Sequence, residues 1–254
     1  MPRNSRFTLL ISSYNASAKE EEIRRFTKFL KVCVVNQYSD EVGKLILNNP
    51  EVKVVNKKST GLSKNRNTGL EIFSNNHIII CDDDIEINEN VFSSALDEID
   101  KLFYDGYGFV TFNNADVSGP RFKNFQHTKF SVMKIPSWCI CLRSDIASAF
   151  RFDESFGINA KYNSGEENIL LFDILMSGVR GAHINIDPVR HIGESTGHIW
   201  NIDLAKAKGA LFHRTYGSWV GLFITILFML KKVFTDRASI KLLGVAIREY
   251  STHR

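Results

Sequence analysis

Proline and cysteine are scarce in this chain, with 5 and 4 copies among 254 residues. So few prolines, together with 16 glycines, 44% hydrophobic and 24% charged residues, exclude a disordered, collagen-like or linker-rich chain. At about 100 to 200 residues per domain, the length fits one large domain or one with a substantial appendage. The four cysteines, Cys33, Cys81, Cys139 and Cys141, lie in apolar stretches and form no CxxC pair. That spacing excludes a zinc knuckle and a disulfide framework and points to a reducing compartment. A signal-peptide core is also missing, because Arg3 and Arg6 are followed only by the short apolar run 7–11. The beginning reads better as a first strand.

A basic body is absent too. The formal charge is +4, and residues 231–254 hold Lys231, Lys232, Arg237, Lys241, Arg248 and Arg254 against Asp236 and Glu249. The first 230 residues are therefore neutral overall, which argues against nucleic acid as a partner and for a basic tail with its own task.

Apolar runs at 7–11, 32–35, 52–55, 78–81 and 109–112 are continuous rather than alternating, as in strands buried on both faces. Helical patterns separate them. Ser17 and Glu20 have capping-box spacing before Ile23, Phe26 and Leu30. A second helix carries Leu62, Gly69, Leu70 and Phe73, and a third opens near Asn88 with a stripe of Val91, Ala95, Ile99 and Leu102. The alternation predicts an α/β fold with a parallel sheet covered on both sides and ligands at the carboxyl ends of its strands. Residues 113–137 suggest loops or a small antiparallel excursion, followed by a strand at 138–142. A helix then starts at Ser164, with Glu167 again at capping-box spacing, and its apolar run 169–176 stops before Gly178. After a strand at 183–186, the stretch 191–200, HIGESTGHIW, has the polarity and glycines to close over a ligand.

The run 219–230, WVGLFITILFML, is the most apolar of all and runs directly into Lys231 and Lys232. It falls short of the ~20 residues of a spanning helix. Its length and flanks fit a helix lying in a membrane interface, with a buried core helix or a homodimer interface as the alternative.

The strongest chemical signal is CDDDIEI, where Asp82, Asp83 and Asp84 follow a buried strand. Three adjacent carboxylates repel, so positive charge is expected among them. A magnesium or manganese ion bound to a substrate diphosphate meets that need, since such ions take one or two carboxylates plus phosphate oxygens. In an extended or turning backbone Asp82 and Asp84 share a side and Asp83 points away. A solvated acidic turn is the alternative.

From residue 7 to 200 an ordered series of motifs, SSYN at 12–15, GLSKNRNTGL at 61–70, CDDDIEI, RFDESFG at 151–157, GEEN at 165–168 and VRHIGESTG around His191, resembles family-two glycosyltransferases of the bacterial surface-polysaccharide type. The resemblance implies the A-type, Rossmann-like nucleotide-sugar fold: a mostly parallel central sheet flanked by helices, here with a C-terminal apolar helical appendage. It implies a catalytic domain, read as 1–212, and the apolar and basic sequence beyond it reads as a helical membrane-associating tail over 213–254. It further implies metal-dependent, inverting hexosyl transfer from a nucleotide-diphosphate sugar, a UDP-sugar, to a saccharide or lipid-linked acceptor at the inner face of the cell membrane.

Residue by residue, the resemblance places Ser13, Tyr14, Asn15, Arg66, Asn67, Asp82 and Asp83 against the nucleotide, and Asp84 and His191 on Mn2+ or Mg2+. Strand two departs from the family by ending at Asn36, with Asp40 later, so the base contact passes to an amide. Inverting transfer needs one base for the acceptor hydroxyl rather than a glycosidase's pair of carboxylates. Glu167 matches that position, with Glu166 as the alternate. Trp138 is a candidate to stack on an acceptor sugar. Two other classes stand beside this reading. A nucleotidyltransferase would carry a glycine-rich basic loop where SSYNAS stands, and a calcium-binding module would space its acids alternately around a glycine.

Overall fold

The computed structural model describes residues 6–73, 75–114, 123–192, 200–236 and 238–252. The chain forms two compact units, one of residues 1–60, 64–151 and 174–193, the other of 61–63, 152–173 and 194–254.

Among the described residues of the first unit, nine strands form one sheet: β1 (Phe7–Tyr14), β2 (Lys31–Gln37), β3 (Val52–Lys57), β4 (His77–Asp82), β5 (Ile85–Ile87), β6 (Tyr107–Asn114), β7 (Phe125–Gln126), β8 (Ile140–Leu142) and β9 (Arg180–His191). The order is β3-β2-β1-β4-β8-β6-β9-β5, with β7 on β9. The half β3-β2-β1-β4 is parallel throughout, as the continuous apolar runs predict, and β6 and β9 are also parallel. Short β5, β7 and β8 pair antiparallel. The excursion expected near residue 125 is thus β7. Trp138, expected in a strand, lies in the 3-10 turn Ser137–Cys139 just ahead of β8. The order reverses at β1, which has β2 on one side and β4 on the other, and open α/β sheets bind ligands in the crevice at such a point.

Helices α1 (Glu20–Phe26), α2 (Leu62–Phe73), α3 (Glu89–Tyr104) and α4 (Ser144–Ala149) follow strands. The capping box expected at Ser17 does not form. A 3-10 turn occupies Ala16–Ala18, and Lys19 is the N-cap of α1 with no side-chain bond. Asn88 does cap α3, accepting from the Asn90 amide at 3.3 Å. That helix buries Phe92, Ala95, Leu96, Ile99 and Phe103 rather than Val91 and Leu102, because the larger rings take the inward positions. Gly69 of α2 allows close approach to β1, since a Cβ there would lie 2.1 Å from Leu10 Cδ1.

A polar layer is closed inside this unit. Thr111 Oγ1 lies 2.7 Å from His127 Nε2 and 2.9 Å from His183 Nδ1, and the outer nitrogens meet Ser131 Oγ at 2.9 Å and Asn113 Oδ1 at 3.0 Å. Phe109 and Phe125 stack on the two rings. Burial pushes His127 down to about 3 and His183 down to about 4.

The second unit contains the start of α5 (Glu166–Met176) and all of α6 (Ile202–Tyr216), α7 (Ser218–Thr235) and α8 (Lys241–Thr252). Its core joins Ala205, Met229, Ala238, Leu242 and Ala246. Gly209 brings α6 onto α8, where a Cβ would meet the Ala246 carbonyl oxygen at 2.2 Å. Helix α6 runs through residue 212, and α7 and α8 pack on it. Along α7, Gly221, Thr225 and Met229 face inward, while Trp219, Phe223, Leu227 and Phe234 are exposed at 76%, 62%, 51% and 82%. Among the described residues no helix is long and apolar enough to cross a membrane.

The buried histidines set a pH response. On unfolding both rings return to their ordinary value of 6.5, so the unfolded chain binds more protons below that pH. Their contribution to stability is complete above pH 6.5 and is lost as pH falls from 6.5 towards 4. Thermal unfolding between pH 7.5 and 4.5 should show the midpoint dropping below pH 6.5, and His127→Gln/His183→Gln should flatten the drop. An equally steep fall in the double variant would assign the effect to other groups.

Candidate active site

At the carboxyl end of the parallel half, β4 stops at Asp82, and Asp83 and Asp84 turn the chain into β5. The register of β1 and β4 sets Ser12 beside Asp82. Each of the three carboxylates finds a partner on a different element. Arg66 of α2 donates from Nη2 to Asp82 Oδ1 at 3.0 Å and to Ser137 Oγ at 2.8 Å. Lys19 Nζ and Ser13 Oγ both donate to Asp83 Oδ2, the lysine at 2.7 Å. Asp84 Oδ2 lies 3.2 Å from His191 Nε2, whose ring stacks on Trp138 with centroids 4.4 Å apart. The expected positive charge is thus supplied in part by the chain itself.

Asp84 has one unmet requirement. Its side chain is 43% exposed as a whole, yet Oδ1 is shut off from solvent and accepts no hydrogen bond. A carboxylate oxygen without a partner, on a residue already paired with an imidazole nitrogen, is a donor set that suits a divalent cation. Among the described residues no three His, Cys, Asp or Glu side chains gather into a ligand group. Two protein ligands, with the remaining positions left to diphosphate oxygens and water, are the usual pattern for magnesium.

The other expected nucleotide contacts divide. Tyr14 is exposed at the last position of β1, and Asn15 adopts a left-handed turn (φ 51°), where its Oδ1 accepts from the Ser39 amide at 3.3 Å. Asn65 Nδ2 donates to the Ser13 carbonyl at 3.2 Å and so ties α2 to β1, while Asn67 is buried on the same helix. Arg66 is only 1% exposed. It orders Asp82 from inside the unit. Asn36 corrects an expectation: it is fully buried, Oδ1 accepts from the Ala16 amide, and Nδ2 donates to the Gly43 carbonyl and Asn56 Oδ1. Its polar atoms fix neighbouring loops and leave no exposed group for a nucleobase. Asp40 accepts from the amides of Val42 and Gly43. Trp138 presents a face to His191, and its indole nitrogen is buried without a partner. Residues 193–199, most of the stretch expected to close over a ligand, lie outside the described residues. Lys19 and Ser137 were not legible as site residues, since neither stands in a recognisable motif.

In the second unit the RFDESFG and GEEN motifs meet. Gly157 (φ 106°) donates its amide to the Tyr162 carbonyl at 2.7 Å, and a Cβ on it would lie 2.9 Å from Ser63 Oγ and 3.4 Å from the Glu166 carboxyl carbon. Only glycine fits there without strain. The first helical bond of α5 runs from the Ile169 amide to the Gly165 carbonyl at 3.0 Å. Gly165, at φ 109°, therefore occupies the cap position, and the capping-box spacing of Ser164 and Glu167 is one residue out of step. Glu166 is buried and Glu167 half-buried in the first turn of α5.

The sequence profile described as "Glycosyl transferase family 2" matches residues 8–166. No curated protein matches the chain. Among solved structures it is similar to S. aureus TarS 1-349, at 12% identity and a TM-score of 0.58 over 91% of this chain and 72% of that one. It is also similar to S. aureus TarS at 15% identity and 0.57, again over 91% of this chain but 44% of that one. At those identities the likeness is one of fold.

Arg66 generates a test of this arrangement. Arg66→Met removes the guanidinium that donates to Asp82 and Ser137 and should lower stability by about 3 kcal/mol in urea unfolding. Adding Asp82→Asn should restore part of the loss. A single variant as stable as the parent would show that the pair carries no weight in the fold.

Proposed function

The chain belongs to glycosyl transferase family 2 and is a glycosyltransferase, and from that premise we propose metal-dependent, inverting transfer of a hexosyl group from a UDP-sugar to a saccharide or lipid-linked acceptor of cell-surface polysaccharide. The observation that carries the reading is the buried, unpartnered Asp84 Oδ1 beside His191 at the point where the strand order reverses. Asp84 and His191 hold Mn2+ or Mg2+, which when bound offsets the charge of the departing diphosphate. Asp82, kept in place by Arg66, takes the ribose end, and the exposed Tyr14 lies against the nucleotide. Asp83 is already committed to Ser13 and Lys19 and orders the end of β1.

Glu167 takes the proton of the acceptor hydroxyl. It is the more accessible of the two acids, and its place in the first turn of α5 favours the ionised form that a base requires. Glu166 lies against Gly157 and serves the loop. In this reading residues 1–212 carry catalysis and 213–254 attach the enzyme to the inner face of the membrane. The outer face of α7 supports the attachment: Trp219, Phe223, Leu227 and Phe234 share an exposed side, with Lys231 among them. Aromatic and aliphatic side chains beside a basic residue suit an anionic interface.

Hydrolysis and binding of a UDP-sugar panel test the chemistry. Activity should need a divalent cation, Asp84→Asn should abolish it without unfolding the chain, and Glu167→Gln should retain donor binding while losing ~100-fold or more in rate. Full turnover in excess chelator would sink the metal assignment. An active Glu167→Gln beside a dead Glu166→Gln would exchange the two acids.

The membrane reading is best tested by surface substitution, because Thr225 and Met229 of α7 are fully buried and truncation would open the core. The full chain should sediment with anionic vesicles more than with neutral ones, and less at high salt. Trp219→Ser/Phe223→Ser/Leu227→Ser should remain folded and stay in the supernatant. Equal sedimentation of parent and triple variant, or loss of a homodimer in the variant, would give that face another partner.

A further inference from the structure

A lysine that stands in none of the motifs reaches the segment that leads into the glutamate pair. Lys208 is a half-buried residue of α6, one turn before Leu211. Leu211 is the side chain against which Gly165 packs, at 3.3 Å from where a Cβ would stand. Lys208 Nζ donates to Ser164 Oγ at 3.3 Å, which brings the ammonium to the residues that lead into Glu166 and Glu167. All of these groups belong to the second unit. Glu167 and then Glu166 are the acids whose charge acts on Lys208, and Lys232 of α7 is the cation that opposes it. Glu249 of α8 is engaged elsewhere, accepting from the Tyr162 hydroxyl at 2.8 Å.

A buried ammonium is costly unless an anion accompanies it, and here desolvation pulls the lysine's pKa down while the two glutamates raise it. The dependence is mutual. We infer that Lys208 is the positioning residue of the catalytic base, its ammonium keeping the Glu167 carboxylate ionised and aimed. The inference rests on Glu167 being the base. Lys208 itself touches no reacting atom. Arginine could supply the same charge with a different shape, whereas methionine fills the space without charge.

Two readouts on the full chain test this. With the UDP-sugar panel, Lys208→Met should move the acid limb of the pH-rate profile upward by about one unit or more, the scale of a lost ion-pair neighbour. The rate should fall near pH 6, recover at higher pH and leave donor KM unchanged, and Lys208→Arg should restore the parental limb. Independently of activity, the carbon-13 carboxyl resonance that disappears in Glu167→Gln should titrate at higher pH in Lys208→Met than in the parent. Lys208→Gln, which keeps a donor for Ser164, replaces the methionine variant if that one does not fold. Unmoved profiles and an unmoved resonance alongside an inactive Glu167→Gln would overturn the role of Lys208 alone. An active Glu167→Gln would overturn the base assignment, and this inference with it.

Discussion

Mutual repulsion among Asp82, Asp83 and Asp84 is the constraint around which the first unit is arranged. Three consecutive carboxylates at the end of a buried strand repel one another unless positive or hydrogen-bonding partners stand among them. The turn after β4 divides them among separate elements, with Arg66 arriving from α2, Lys19 from the N-cap of α1 and His191 from β9. Those contacts tie α1, α2 and β9 to the end of β4. They also leave one oxygen of Asp84 unpaired. The site is therefore what remains once the charge problem has been mostly, and not entirely, solved by the chain's own side chains.

Continuous apolar runs made the parallel half of the sheet legible, since only strands covered on both faces look like that. β5, which escaped notice, is three residues long, and β7, expected only as loops or a small excursion, is two, both too short to carry a period. Capping boxes misled twice, at Ser17 and Ser164, because spacing alone cannot register that a 3-10 turn or a positive-φ glycine has taken the cap position. The acidic motifs were readable as chemistry because carboxylates gathered at a strand end have few innocuous explanations. Their partners were not. Lys19, Ser137 and Lys208 come from distant segments, and the side chain of Asn36, whose place in the pattern invited a ligand role, is taken up entirely by loop amides.

The apolar run of α7 had two competing explanations, core or membrane, and the structure covers one stripe of the helix and leaves the other exposed. Gly221, Thr225 and Met229 recur every fourth residue and turn inward, where small side chains let α6 and α8 approach. Trp219, Phe223 and Leu227 recur with the same period on the outside. Two interleaved stripes of period four, both apolar, give a window average that cannot separate them. Only the neighbours decide which stripe is covered.

The four cysteines have a practical meaning apart from catalysis. All are free and buried, and desolvation pushes each thiol above its ordinary value, so few are present as reactive thiolate near neutral pH. A cysteine placed on an exposed position therefore becomes the preferred target for a maleimide dye or a nitroxide, with no need to strip out the native ones. Depth-dependent quenching or accessibility measurements along α7 are open to this protein in its natural background.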